Sequence, residues 1–415
     1  MSTERYSKYK PSPLPWNKEI PAHWISRRGK FIFKVINQRS EAGSEELLSV
    51  TENWGVIPRK NANVTMFQAE SYEGYKLCQK GDLVINSLWA WGKGLGFSEY
   101  AGIVSTAYSV YRLKKHSEHN YKYYNYLLRT PGYVGEYLVR SKGVWISRLQ
   151  LSDMAFLDMQ IVIPPVEEQT AIANYLDAQN EKINLFITKK KKLIELLIKQ
   201  RQAIIAKAVS DENVNGKSIS KNWDSRKLKF VAKIIYGQSP NEETYNEKGV
   251  GSILINGPVE YSESDFGITR ESKWTTDPKK FAKKGDILFC LRGSTTGRLN
   301  ICHDDVSIGR GVAAIRPLFI DYDFFVFALQ NLRSTISHTF EGSTFPSVTS
   351  MDLNNYFISY PNSVSEQQQI VKQIKSETKN IDEVIIRTEK EIELIKEYLQ
   401  SIIAEVVTGK IKISA

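Results

Sequence analysis

Two short glycine loops hold the residue types best suited to chemistry on a nucleic acid. The first, Leu88-Trp-Ala-Trp-Gly-Lys-Gly94, brings together Trp89, Trp91 and Lys93; the second, Leu291-Arg-Gly-Ser-Thr-Thr-Gly297, supplies Arg292, Thr295 and Thr296 and is followed by Arg298. Arg140, Lys142 and Arg148 add to the first group, and Arg310, Ser343 and Thr344 to the second. A guanidinium can bond two acceptors on the major-groove edge of guanine, lysine and arginine hold phosphates, and serine and threonine reach either. Singly, each residue is more at home in a solvated or structural role. As a set beside equivalent glycine loops, they are expected to border a DNA surface.

Covalent chemistry finds no comparable constellation. The sequence has no Gly-x-x-x-x-Gly-Lys-Ser/Thr phosphate loop, no His-Glu-x-x-His, no Gly-x-Ser-x-Gly, and no Asn/Asp-Pro-Pro-aromatic motif of amino-methyltransferases. Gly92-Lys-Gly-Leu-Gly96 has the wrong spacing for a dinucleotide fingerprint and reads as a loop. The five histidines are scattered, and Cys302-His303 lacks further ligands nearby, so no metal site is expected. Cys78, Cys290 and Cys302 form no Cys-x-x-Cys pair and read as reduced, structural thiols. Lys189 to Lys192 reads as a solvated helix face. The chain by itself is expected to be no enzyme and to hold no cofactor.

The elements that position these loops occur twice. His23-Trp-Ile-Ser-Arg-Arg-Gly-Lys-Phe31 matches Asn222-Trp-Asp-Ser-Arg-Lys-Leu-Lys-Phe230 at a shift of 199. Gly81-Asp-Leu-Val-Ile matches Gly285-Asp-Ile-Leu-Phe at 204, each just before its glycine loop. Glu168-Gln169 with Ile172 matches Glu366-Gln367 with Ile370, and Ile204-Ile-Ala206 matches Ile402-Ile-Ala404, both at 198. Short matches arise by chance, but four in the same order at nearly constant offset point to a duplicated architecture. Each half reads as an α+β globular domain followed by one long helix. The expected boundaries are 1–163 and 214–361 for the globular domains, with helical spacers over 164–213 and 362–415. Leu83 to Leu88, Ile103 to Val110 and Gly311 to Ile315 read as strands; 121–140 and 321–338 have helical spacing, interrupted in the first by Pro131-Gly132.

Both long helices follow from their apolar spacing. After Pro164-Pro165 no proline or glycine occurs until Gly216, and apolar residues recur at 172, 176, 183, 186, 193, 197, 204 and 208. The second stripe is Ile370, Ile374, Ile381, Val384, Ile392, Ile395, Leu399, Ile402 and Val406, starting near a possible capping box at Ser363-Val-Ser-Glu366 and ending before Gly409. About 40 residues at 1.5 Å each give roughly 60 Å, too long for one domain to cover, and the spacing implies a coiled coil. Residues 165–209 carry eight basic and five acidic side chains, whereas 363–408 carry six basic and nine acidic. Opposite signs favour pairing of one helix with the other. Because they cancel, the formal net charge of +10 resides in the globular parts, where a polyanion would bind.

A chain of 415 residues with 41% hydrophobic and 25% charged residues is long enough for two to four units and rich enough to fold. No run approaches eighteen apolar residues, and Met1 to Tyr9 is polar, which leads us to expect a cytoplasmic protein without a membrane span.

A domain opening with Ile20-Pro-Ala-His-Trp24, containing Gly81-Asp-Leu, ending in Ile163-Pro-Pro-Val-Glu-Glu-Gln169 and repeated through Gly285-Asp-Ile and Ser365-Glu-Gln-Gln resembles the specificity subunit of type I restriction-modification enzymes. Ala404-Glu-Val-Val-Thr-Gly-Lys-Ile411 is similar to that family's closing segment. The resemblance implies two tandem target recognition domains joined by two helices in an antiparallel coiled coil with pseudo-twofold symmetry. It further implies that each domain reads half of a bipartite double-stranded DNA target and that the helices set the gap. Two modification subunits would dock on the helices and methylate adenine with S-adenosylmethionine; motor-nuclease restriction subunits using ATP and Mg would complete the restricting complex. Trp89-Ala-Trp91 has no counterpart in Arg292-Gly-Ser294, so the half-sites are expected to differ. A DNA enzyme with an unfamiliar motif and a coiled-coil scaffold without sequence preference are the competing classes; assay of the isolated chain for methylation and cleavage addresses the first, and binding to random duplex at several salt concentrations the second.

Overall fold

The computed structural model describes residues 4–52, 54–62, 71–143, 149–210, 222–262, 267–293, 295–339 and 347–413. They form two compact units, one comprising Met1–Lys190 with Lys390–Ala415 and the other Lys191–Glu389.

In the first unit a four-stranded antiparallel sheet has the order Phe33–Ile36, Tyr108–Leu113, Leu83–Asn86, Leu95–Phe97. In the second the order is Ala232–Tyr236, Val312–Pro317, Ile287–Cys290, Leu299–Ile301. Register follows the repeat as well: Val110 lies opposite Val84, and Ala314 opposite Leu288. The strand at each repeat's opening tryptophan also has an equivalent partner. Ile25–Arg28 pairs with Gln160–Ile163, and Trp223–Lys227 with Phe357–Pro361, so each domain closes on the strand that feeds its long helix.

Because strand side chains alternate faces, each sheet separates two apolar clusters. Leu83, Ile85 and Tyr111 share a core with Trp24, Tyr123, Tyr133, Tyr137 and Phe156. Val84 and Val110 turn to the other side, against Leu48, Val50, Val56 and Val104. In the second unit Ile287, Phe289 and Ile315 join Phe324, Phe325 and Leu329, while Leu288, Val312 and Ala314 face Ile255, Val306 and Ile308. The covers on that second face differ. One is the hairpin Leu48–Thr51/Gly55–Pro58 with the pair Lys76–Cys78/Gly102–Val104; the other is a five-stranded sheet that includes one parallel pair. Helical spacing over 121–140 resolves into two helices, Tyr121–Leu128 and Pro131–Arg140, since proline is tolerated in the first turn but not inside a helix. Its counterpart is the single helix Tyr322–Thr339.

Two repeated motifs prove to be structural devices. Gly81 and Gly285 both have φ +85°, conformations that favour glycine, and the aspartate after each closes the turn. Asp82 accepts from the Gln79 amide at 2.9 Å and from Arg112 at 2.7 Å through both oxygens. Asp286 accepts from the Lys283 amide at 2.8 Å and from Arg316 at 2.6 and 2.8 Å. The glutamine of Glu-Gln is buried in both copies. Gln169 donates to the Pro164 carbonyl (2.9 Å) and accepts from the Asn120 amide (2.9 Å); Gln367 does the same with Pro361 (2.7 Å) and Asp321 (2.7 Å). Each thus ties the end of a strand to the start of a helix. Gln169→Ala and Gln367→Ala are each expected to cost about 1 to 3 kcal/mol, because the covered proline carbonyl loses its donor and the half-buried Asn120 or Asp321 amide its acceptor. Denaturant unfolding of the full chain checks this, and a change near zero would show that water replaces the amide.

The long helices span Val166–Val209 and Val364–Val407. In the first unit Ile172, Leu176 and Ile183 share a core with Leu399, Ile402 and Val406; in the second, Ile205 and Val209 share one with Val371 and Ile374. The helices therefore run antiparallel. On the second helix, residues 371, 374, 378, 381, 385, 388, 392, 395, 399, 402 and 406 are buried or half-buried, steps of three and four that make a heptad seam.

That seam corrects the apolar stripe read from the sequence. Phe186, Leu193 and Val384 are exposed; the seam of the first helix keeps Ile183 and Leu197 from that stripe and otherwise passes through Ile187, Lys190, Ile194 and Arg201. Geometry, rather than polarity, selects these positions. Lys190 and Arg201 are accommodated because Glu391 and Asp382 of the second helix meet them, each at 2.7 Å. The Lys190 ammonium also lies 5.3 Å from the centre of the Phe186 ring. The second helix ends where Gly409, at φ +79°, turns the chain and the Lys410 amide bonds back to the Glu405 carbonyl at 2.8 Å.

Candidate nucleic-acid interface

The two glycine loops leave equivalent corners of the two sheets but are built differently. In the first unit the Trp89 carbonyl accepts from the Gly92 and Gly94 amides, both at 3.0 Å, and the indole folds back over those glycines. A Cβ at Gly92 would lie 2.1 Å from Trp89 Nε1, and one at Gly94 2.9 Å from its ring, so glycine is required at both. Trp91 turns its indole N–H inward, where it is buried without a partner among the described residues. Lys93 takes φ +60°, the one non-glycine residue described with a positive value, and lines a cleft with Glu52, Glu99 and Tyr100. Beneath that cleft Arg129 gives its guanidinium to the carbonyls of Leu95 and Glu52, and burial lowers its pKa.

The helix Pro131–Arg140 packs on the tryptophan turn, and Arg140 at its end holds Glu136 at 2.7 Å. Lys142 is exposed, and its backbone pairs with that of Gln150 at 3.1 and 3.0 Å. Arg148 itself, like Ser343 and Thr344, lies outside the described residues.

In the second unit the loop is held by its own backbone. Gly293 and Gly297 have φ +90° and +84°, Thr296 donates to the Gly293 carbonyl at 2.8 Å, and Thr295 stands 3.5 Å from the Cys290 sulfur. Arg298 donates to the Ser262 carbonyl. These three predicted residues shape the loop. Arg292 and Arg310 are exposed, and the fold brings them together from neighbouring strand ends into one cleft of about 490 Å³.

Asn241, Glu242 and Asn256 line the same cleft and were not singled out in the sequence. They come from the cover that differs between the halves, so no repeat marks them. Their one sequence signal is the turn-forming run Gly237-Gln-Ser-Pro-Asn241.

Among the described residues no group of three or more His, Cys, Asp or Glu could hold a metal ion. Cys78 and Cys302 are free and buried, and burial pushes both thiols up to about 12, which disfavours the reactive thiolate. No helix of the described residues is long and apolar enough to cross a membrane.

The family profile described as "Type I restriction modification DNA specificity domain" matches residues 32–196 and again 220–394. A Methanocaldococcus jannaschii protein named as the type I restriction enzyme MjaX specificity subunit is 30% identical over 280 residues, covering 65% of this chain and 63% of its own length. The Escherichia coli type I restriction enzyme EcoBI specificity subunit is 24% identical over 313 residues, covering 68% of this chain and 64% of its own. The chain thus spans less than two thirds of these relatives. One solved structure, described as the structural basis of complex assembly and conformational transition of the type I R-M system, contains a chain with TM-score 0.67 and 20% identity. The match covers 94% of this chain and 99% of that one, and shows a shared fold.

Proposed function

The chain belongs to the type I restriction-modification specificity family, whose DNA specificity domain it contains twice, and from that premise we propose that it reads a bipartite double-stranded DNA target, one half with each domain. The observation that carries this reading is the repeated framework with unlike corners. Strand order, register and the aspartate–arginine clamp recur, whereas the exposed side chains at the corner are Leu88 and Thr106 in one unit and Arg292 and Arg310 in the other. A common scaffold with different groups at equivalent positions is what two different half-sites require.

On this reading the chain contributes recognition and no bond-making step. Two modification subunits dock on the paired helices and bring the S-adenosylmethionine site for adenine methylation; motor-nuclease subunits with ATP and Mg join them, all in the cytoplasm. Phosphate contacts from the basic globular parts hold the duplex, and the corner residues discriminate bases.

Exchange of residues 1–163 for those of a family member with another target tests the assignment in the assembled methyltransferase. Mapping methylated adenines should show one half of the target replaced and the other retained. Replacement of both halves, or of neither, would contradict modular reading.

A further inference from the structure

We infer that the cleft in the second unit reads a G·C base pair, its arginines addressing guanine and Glu242 accepting from the amino group of cytosine; this rests on the reading of the chain as a DNA specificity subunit. Arg292 follows the strand Ile287–Cys290, and Arg310 precedes Val312–Pro317. These strands are hydrogen-bonded neighbours with Cys290 opposite Val312, and the Leu291 amide bonds the Gly311 carbonyl at 2.8 Å. The guanidiniums therefore start from adjacent points at one corner. Neither side chain has a hydrogen-bond or ion-pair partner among the described residues, and Glu242, exposed in the same cleft, has none either.

An acid that shares a cleft with two arginines and pairs with neither needs another explanation. Facing phosphates, a carboxylate would repel the duplex, so its place in a DNA-binding cleft makes sense only against a donor. In the major groove the bases offer two kinds of donor, the amino groups of cytosine and adenine. A forked guanidinium needs two neighbouring acceptors, and guanine alone presents them, through N7 and O6. Arginine and glutamate together thus match one G·C pair across its width.

The first unit shows the contrast. Leu88 and Thr106 occupy the strand-end positions of Arg292 and Arg310. In the turn equivalent to Ser239, Ser40 donates to Glu45 at 2.5 Å, which lowers that carboxyl's pKa and occupies it. In the second unit Ser239 instead donates to Asn256 at 3.2 Å and accepts from the Arg310 amide at 3.2 Å, leaving Glu242 unengaged.

The test is selection from randomised duplexes by the full-length chain assembled with its modification subunits, comparing wild type with Arg292→Ala, Arg310→Ala and Glu242→Ala. Wild type should enrich two fixed half-sites, one containing a G·C pair. At that pair Glu242→Ala and at least one arginine variant should lower the preference over other pairs by roughly tenfold. The other half-site should remain unchanged, which verifies that the variants are folded. A G·C preference surviving in all three variants, its absence from the affected half-site, or an affinity loss uniform across sequences would overturn the inference while leaving the bipartite reading intact. Failure of wild type to enrich any fixed sequence would instead overturn that reading, and the inference with it.

Discussion

Alanine at Arg112 is expected to destabilise the first unit by about 3 to 5 kcal/mol, and alanine at Arg316 to act comparably on the second. The carboxylates they hold are almost completely covered: the Asp82 side chain is 1% exposed and that of Asp286 2%. Removing the guanidinium leaves the charge with one backbone amide and little water, whereas removal of one member of an exposed pair costs about 1 kcal/mol or less. Arg316 is itself more open than Arg112, 36% against 20%, so water can repair part of its loss and the smaller effect belongs there. Denaturant unfolding of both variants measures the difference. Losses below about 1 kcal/mol would mean that the clamps behave as surface pairs and that the glycine turns stand without them.

The second large effect concerns the DNA target. If the helices set the gap, adding one heptad to each, after Thr188 in the first and after Glu391 in the second, should lengthen the unspecified gap by about three base pairs. Seven residues rise about 10 Å, against 3.4 Å per base pair. Both sites lie near the Lys190–Glu391 pair, and a whole heptad in each helix returns later residues to their seam positions. Neither glycine loop is altered, so both half-sites should be retained. Methylation mapping with the assembled enzyme reads the spacing, and an unchanged gap in a folded variant would remove the helices from the spacing mechanism.

Much of this architecture was legible because it is written twice. Gly81-Asp82 and Gly285-Asp286 stand out at constant offset, although nothing in the sequence says that the aspartate holds an arginine thirty residues away. Glu-Gln likewise marked a boundary without revealing the buried amide. The long helices were evident, but their seam was displaced wherever Phe186, Leu193 or Val384 attracted attention; a heptad is a geometric path, and Lys190 and Arg201 can lie on it because the opposite helix supplies acids. The candidate interface was the least legible part. Nothing in the sequence signals that Trp89 closes over its own glycines, and Glu242 carries no signal because an isolated loop acid acquires meaning only from the arginines that the fold brings to the same cleft.

The central sheets have a consequence for how such a protein can diverge. Alternate residues of each strand face the cluster that includes the long helices, and the intervening ones face the cover that differs between the units. Substitutions in the cover can therefore accumulate, and whole covers can be exchanged, without disturbing the side chains that bind domain to helix. Selection on the cover and selection on the packing of domain against helix fall on opposite faces of the same strands. If the chain reads DNA as proposed, a new target sequence can arise through the cover while the face that packs on the long helices stays unchanged.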